Sequence, residues 1–154
     1  MRICWSDTET YSEVPITNGT HAYAEKAEVM LWAFAIDDDP VEVWDLTAGS
    51  PMPVLLTFAL ADPGCVFVFH NSHFDRTVLR HCGFDIPAHR VNDTMVKALA
   101  HSLPGELYKL CEIFDISVDK AKDKDGRRLV LLFCKPRPAK SNPRRATRAT
   151  HPAE

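Results

Sequence analysis

The sequence predicts an α/β domain built on a mixed sheet. Two observations carry that prediction. Three strand-like runs come first, two of them joined by a short turn; a short, wholly apolar run then follows one helix and precedes a series of others. A third observation sets the size. The chain has 154 residues, 45% hydrophobic and 25% charged, which is the length and balance of one ordinary domain.

Residues 2–6 alternate partly and run into Asp7–Thr8–Glu9–Thr10, so a strand is expected whose C-terminal end carries Asp7 and Glu9. Residues 29–36 are apolar and stop at an Asp-rich turn ending in Pro40, a buried strand. Residues 41–46 alternate, and the short turn makes the two an antiparallel hairpin. After a Gly- and Pro-containing loop, residues 54–61 have helical length and stop at Asp62-Pro63-Gly64. Residues 65–69 are five apolar residues in a row, the mark of a strand covered on both faces. A helix capped by Asn71 or Ser72 runs to about Cys82 and ends at Gly83, with Phe74, Val78, Leu79 and Cys82 at helical spacing. Asp93 is a good N-cap for a helix over 94–102, and 106–114 form another. Residues 129–134 read as a short apolar island. Residues 135–154, with four prolines and many arginines, are expected to be extended or disordered on their own. No internal repeat is visible. The crossover to 65–69 should place that strand beside the first one, parallel to it, with their C-terminal ends side by side.

Composition excludes several classes. The longest apolar runs are far shorter than a membrane span, and acidic residues appear within seven positions of the start, so neither a membrane anchor nor a signal peptide is expected. Five cysteines without a C-x-x-C pair argue against a disulfide framework or zinc ribbon and fit reduced thiols in a cytoplasm. The net charge of −3 hides a split: residues 1–119 hold 7 Lys+Arg against 18 Asp+Glu, whereas 120–154 hold 11 against 3. An acidic body points to carboxylates that need cations, and a basic tail points to a polyanion.

Two clusters carry candidate chemistry. Asp7 and Glu9 lie at i and i+2 on a strand and so face one way. Like charges held close repel unless a cation lies between them, and Mg²⁺ or Mn²⁺ takes oxygen ligands of this kind. The second cluster, His70-Asn71-Ser72-His73-Phe74-Asp75, directly follows the buried strand. Asn71 and Asp75 share a helix face, and Asp75 is expected to face Asp7 and Glu9 across a cleft. His70 and His73 lack the further ligands that zinc would need and are expected to pack or line that cleft. Trp5, Trp32 and Trp44 are expected in the core or on a sheet face. The basic residues in 120–128 and 137–148 could grip phosphates without sequence preference.

Asp7-Thr8-Glu9-Thr10 at the end of the first strand and N-x-x-F-D after the central strand resemble the first two motifs of the DEDD (DnaQ-like) 3′–5′ exonucleases. The segments 6–12, 22–37, 43–46, 70–75, 93–95 and 119–136, in that order, resemble the N-terminal proofreading domain of phage-type family A DNA polymerases. The resemblance implies a ribonuclease H-like mixed sheet flanked by helices. It also implies two-metal hydrolysis of the 3′-terminal phosphodiester of single-stranded DNA. In the intact protein a polymerase domain would accompany it, in the cytoplasm of a bacterial or phage-infected cell. It implies catalytic and metal-binding roles for Asp7, Glu9 and Asp75, with Mg²⁺ or Mn²⁺ as cofactor, and substrate contacts from Thr8, Thr10, Asn71 and Phe74.

The pattern departs at the family's third motif, a Tyr or His four residues before a last Asp, which does not follow the basic segment. The expectation is therefore an exonuclease-like core over 1–119 and a basic, partly extended or disordered segment over 120–154. The domain would be C-terminally incomplete, with weak or no activity by itself. Asp93 is expected to be a helix cap rather than a substitute ligand. The alternative function is a non-catalytic nucleic-acid-binding or polymerase-interaction module of the same fold.

Overall fold

The computed structural model describes residues 1–116, 124–138 and 140–152. Five strands form one sheet in the order β3-β2-β1-β4-β5: β1 is Ile3–Ser12, β2 Ala27–Ile36, β3 Glu42–Asp45, β4 Val66–Phe69 and β5 Val91–Asp93. The helices are α1 (Thr20–Ala24), α2 (Val54–Ala61), α3 (Ser72–His81), α4 (Thr94–Ala100), α5 (Leu107–Ile113) and α6 (Lys124–Phe133). β1–β2 and β2–β3 pair antiparallel, whereas β1–β4 and β4–β5 pair parallel. The mixed α/β sheet, the hairpin and the β1–β4 parallel pair are as the sequence predicts.

Strand β1 is longer than expected. It pairs with β4 only through Ile3, Cys4 and Trp5, whereas its pairing with β2 continues to Ser12. Its C-terminal half therefore overshoots the end of β4, and Asp7 and Glu9 sit on this overhang. The β1–β2 register shifts between Glu9 and Thr10, where Met30 has no partner residue in β1. Such bulges increase local twist and re-aim side chains.

Alternation along β1 separates two faces. Cys4, Thr8 and Thr10 are buried, toward the main core, where Trp32, Phe34, Trp44, Leu56, Phe67, Phe69, Val78 and Leu79 pack. Trp5 and Asp7 are exposed on the other face and Glu9 is half-buried there. Trp32 and Trp44 are core residues, and Trp5 is a sheet-face residue whose indole N–H donates to the Asp37 carbonyl. α3 ends as expected at Gly83, whose φ of 91° suits a residue without Cβ.

Arg90 holds two elements together. Its buried guanidinium donates to the carbonyls of Ala59, Leu60 and Cys65 and lies over the Phe67 ring. Two of those carbonyls belong to the last turn of α2, where a cation complements the helix dipole.

Three elements differ from expectation. α1 and β5 are too short, at five and three residues, to show a periodicity. Residues 124–133 form α6 rather than an island beginning at 129, because Gly126, Leu129, Val130 and Phe133 recur at helical spacing. The described tail residues beyond α6 are not without partners: Arg145 pairs with Glu28 and lies over the Tyr11 ring, Arg148 pairs with Asp45, and Ala146 is buried. An acidic body supplies the order that a basic segment lacks alone. The boundary at 119 and the start of the basic cluster over 120–128 lie outside the described residues. No helix among the described residues is long and apolar enough to cross a membrane.

Candidate nuclease site

The overhang of β1 and the first turn of α3 meet where β4 ends. The Thr8 hydroxyl donates to Asp75 Oδ1 at 2.6 Å, and both residues are buried. Asp75 thus reaches β1 from the α3 side. Asp7 and Glu9 project from the opposite face of the same strand. The three carboxylates flank one stretch of backbone and do not converge directly. Among the described residues, no three His, Cys, Asp or Glu side chains are gathered as a ready-made metal site.

Electrostatics nevertheless couples them through Asp7. Burial pushes the Asp75 carboxyl up to about 6; the Thr8 hydrogen bond opposes this and the charge of Asp7 adds to it. Desolvation raises Asp7 above the usual range, against a backbone hydrogen bond from Thr8 and the nearby His70. Desolvation likewise raises Glu9, with the Cys134 thiol opposing and Asp7 reinforcing. All three groups thus sit where ionisation is disfavoured until positive charge arrives.

Cys134, just after α6, donates to Glu9 Oε2 at 3.3 Å. Burial, then the Glu9 charge, pushes this thiol up to about 12. Beside it lies a cavity of about 860 Å³, bordered by Glu9, Leu31, Asp45, Phe133 and Arg148. Sequence reasoning missed Cys134 at this site; the helical spacing of α6 was the available signal.

The expected substrate contacts separate into two kinds. Thr8 and Thr10 are buried and engaged inside the protein, Thr8 with Asp75 and Thr10 with the Tyr23 hydroxyl at 2.8 Å. Both hydroxyls face the core. Phe74 packs partly against the core beside Tyr23, with ring centroids 5.5 Å apart. Asn71 is exposed, in the left-handed region at φ 70°, and its side chain does not cap α3.

The cap of α3 comes from elsewhere. Asp93 accepts from the backbone N–H of Asn71 at 3.1 Å and of Ser72 at 2.7 Å. It also accepts from Met95 and Val96 at the start of α4, its expected role. His70 bonds Thr94 Oγ1 at 2.9 Å and the Gly105 carbonyl at 2.8 Å, so both ring nitrogens are occupied by packing partners.

Comparison with known proteins bears on the fold. The chain is 33% identical over 150 residues to a DNA polymerase of Bacillus phage SP02, covering 94% of this chain and 23% of the polymerase. It superposes on Brucella melitensis NrnC with a TM-score of 0.56 and 23% identity, over 75% of this chain and 53% of that one. The chain shares the fold of NrnC, a mixed five-stranded sheet flanked by helices. A structure described as the apo form of a nuclease also matches at TM-score 0.56 and 23% identity, over 79% of this chain and 56% of that one. NrnC bound to pGG matches at 0.53 and 22%, over 75% and 53%. The chain spans under a quarter of the polymerase's length and about half of each solved chain. No protein-family profile matches it.

Proposed function

We propose that this chain is the 3′–5′ exonuclease, or proofreading, part of a DNA polymerase, acting on the 3′ end of single-stranded DNA. The observation that carries the reading is the set of three carboxylates, Asp7, Glu9 and Asp75, that flank the overhang of the central strand, where the buried Asp75 is bonded to Thr8. The kinship with a phage DNA polymerase supports the substrate class.

The donor set fits Mg²⁺ or Mn²⁺, because all three side chains are hard oxygen ligands whose mutual repulsion a divalent cation relieves. When bound, a pair of such ions supplies the charge that generates a nucleophile from water and stabilises the departing 3′ oxygen. Asp7 would supply oxygen ligands to such ions. Glu9 would hold one ion and Asp75 the other. Asn71, which is exposed, and the half-buried Phe74 would set the terminal nucleotide.

The test is a Mn²⁺ titration combined with degradation of a 3′-labelled single strand. Two-ion binding and slow 3′ trimming, both lost in Asp7→Ala and in Asp75→Ala, are expected. Strand binding that needs no metal and ignores both substitutions would instead identify a non-catalytic binding module.

A further inference from the structure

We propose that Asp93 is a positioning residue of this site: its one carboxylate, shared by the N-termini of α3 and α4, holds the turn that carries Asn71 and Asp75 in register with β1. The inference rests on the nuclease reading above.

Topology puts Asp93 where it can do this. The parallel β4–β5 register pairs Phe69 with Asp93, so Asp93 stands level with the last residue of β4. The next residues of the β4 chain, 70–72, turn directly beside it. Asp93 Oδ1 accepts from Asn71, Met95 and Val96, and Oδ2 accepts from Ser72. Thr94 repeats the grip one residue on, bonding the Phe69 carbonyl and the His70 ring. Two consecutive residues of β5–α4 thus hold four consecutive residues of β4–α3.

Each held group matters to the site. Asn71 adopts a left-handed backbone unusual for a residue with a Cβ, and Asp93 accepts from its N–H. Ser72 lies three residues before Asp75, about one helical turn, so its backbone position sets the reach of Asp75 to Thr8. Burial pulls the Asp93 carboxyl up, but hydrogen bonds from Ser72, Val96 and Asn71 outweigh it and hold it below the usual range. An ionised acceptor forms the stronger kind of hydrogen bond.

The substitution Asp93→Asn separates positioning from general support. Its amide oxygen can replace Oδ1 and keep the α4 cap, while its NH₂ then faces the Ser72 N–H, donor against donor. Amide hydrogen exchange and Mn²⁺ affinity are measured on the 154-residue chain, with Asp75→Ala as the reference. We expect protection of the Ser72 amide to fall while the α4 amides keep theirs, and Mn²⁺ affinity to drop about tenfold, as for other outer partners of metal ligands. Asp93→Ser, whose short hydroxyl caps α4 but falls short of Ser72, should repeat the loss if the amide variant fails to fold. If Asp75→Ala weakens Mn²⁺ binding and neither Asp93 variant does, Asp93 is a helix cap and the proposal fails while the nuclease reading stands. A wild-type chain that binds no Mn²⁺ overturns both.

Discussion

Thr8 and Asp75, 67 residues apart in sequence, share a buried hydrogen bond of 2.6 Å that joins the central strand to the first turn of α3. The bond ties the two motifs of the site together, and it orients a carboxylate whose ionisation burial disfavours.

The cost of that carboxylate gives the first prediction. The Asp75 carboxyl titrates at about 6 in the fold against an ordinary 3.8. The native state therefore binds the proton more tightly than the unfolded chain, and stability declines as pH rises from about 4 through about 6. Above that window the charged group costs on the order of 3 kcal/mol when no cation is present. Asp75→Asn, which keeps the shape and can still accept from Thr8, should raise the melting temperature at pH 8 by about 5 °C. Near pH 4 the gain should vanish. Thermal melts at the two pH values decide it; an equal gain at both would exclude the titration.

Divalent cations should act in the same direction. A ligand that binds only the native state stabilises by about 2.7 kcal/mol at a hundred times its Kd. Mn²⁺ added at pH 8 should raise the melting temperature of the wild-type chain, and a chelator should reverse the shift. Asp7→Ala should abolish it. A shift that survives Asp7→Ala would place the ion elsewhere.

The first-motif residues were legible because strand periodicity alone puts Asp7 and Glu9 on one face. The helix over Val54–Ala61 was legible from its Pro-Gly stop, and Asp93 was legible as the α4 cap. Contacts across the chain were not. The partner of the Thr8 hydroxyl lies 67 residues away, beyond what local sequence shows. Asn71 looked like a cap because local sequence cannot show that Asp93, 22 residues on, takes that role. Cys134 looked like the end of an apolar island, and its bond to Glu9 spans 125 residues.

Arg90 was equally invisible as a clamp, and its removal should be severe. Arg90→Met leaves three backbone carbonyls without their donor, two of them at the end of α2. The loss should be about 3 kcal/mol by urea denaturation. Arg90→Lys should not restore it, because an ammonium lacks the planar fork that meets three carbonyls at once. Full recovery with Lys would reduce the role to charge alone.

The thiol of Cys134 should be unreactive at neutral pH, since the thiolate is the nucleophile and this group is pushed up to about 12. Glu9→Gln removes the charge that helps to suppress ionisation. Alkylation of Cys134, followed by peptide mass spectrometry, should then quicken about tenfold. An unchanged rate would mean that shielding, and not the carboxylate, protects the thiol.

The two tail arginines should behave differently toward a polyanion. The Arg148 side chain is 72% exposed and its pair with Asp45 is of the weak surface kind. Arg145 is 31% exposed, between Glu28 and the Tyr11 ring. In single-strand binding, Arg148→Ala should lower the salt slope by about 0.7, the share of one phosphate contact. Arg145→Ala should leave the slope unchanged.

The central place of β1 also orders events in a growing polypeptide. Its partners on one side are complete once residue 45 has emerged, so the β1–β2–β3 meander can zip early through contacts local in sequence. Its other edge waits for Val66–Val68, more than sixty residues downstream. Until then that edge is open to pairing with another nascent chain, and arrival of β4 closes it in the same step that brings the second acidic motif alongside the first.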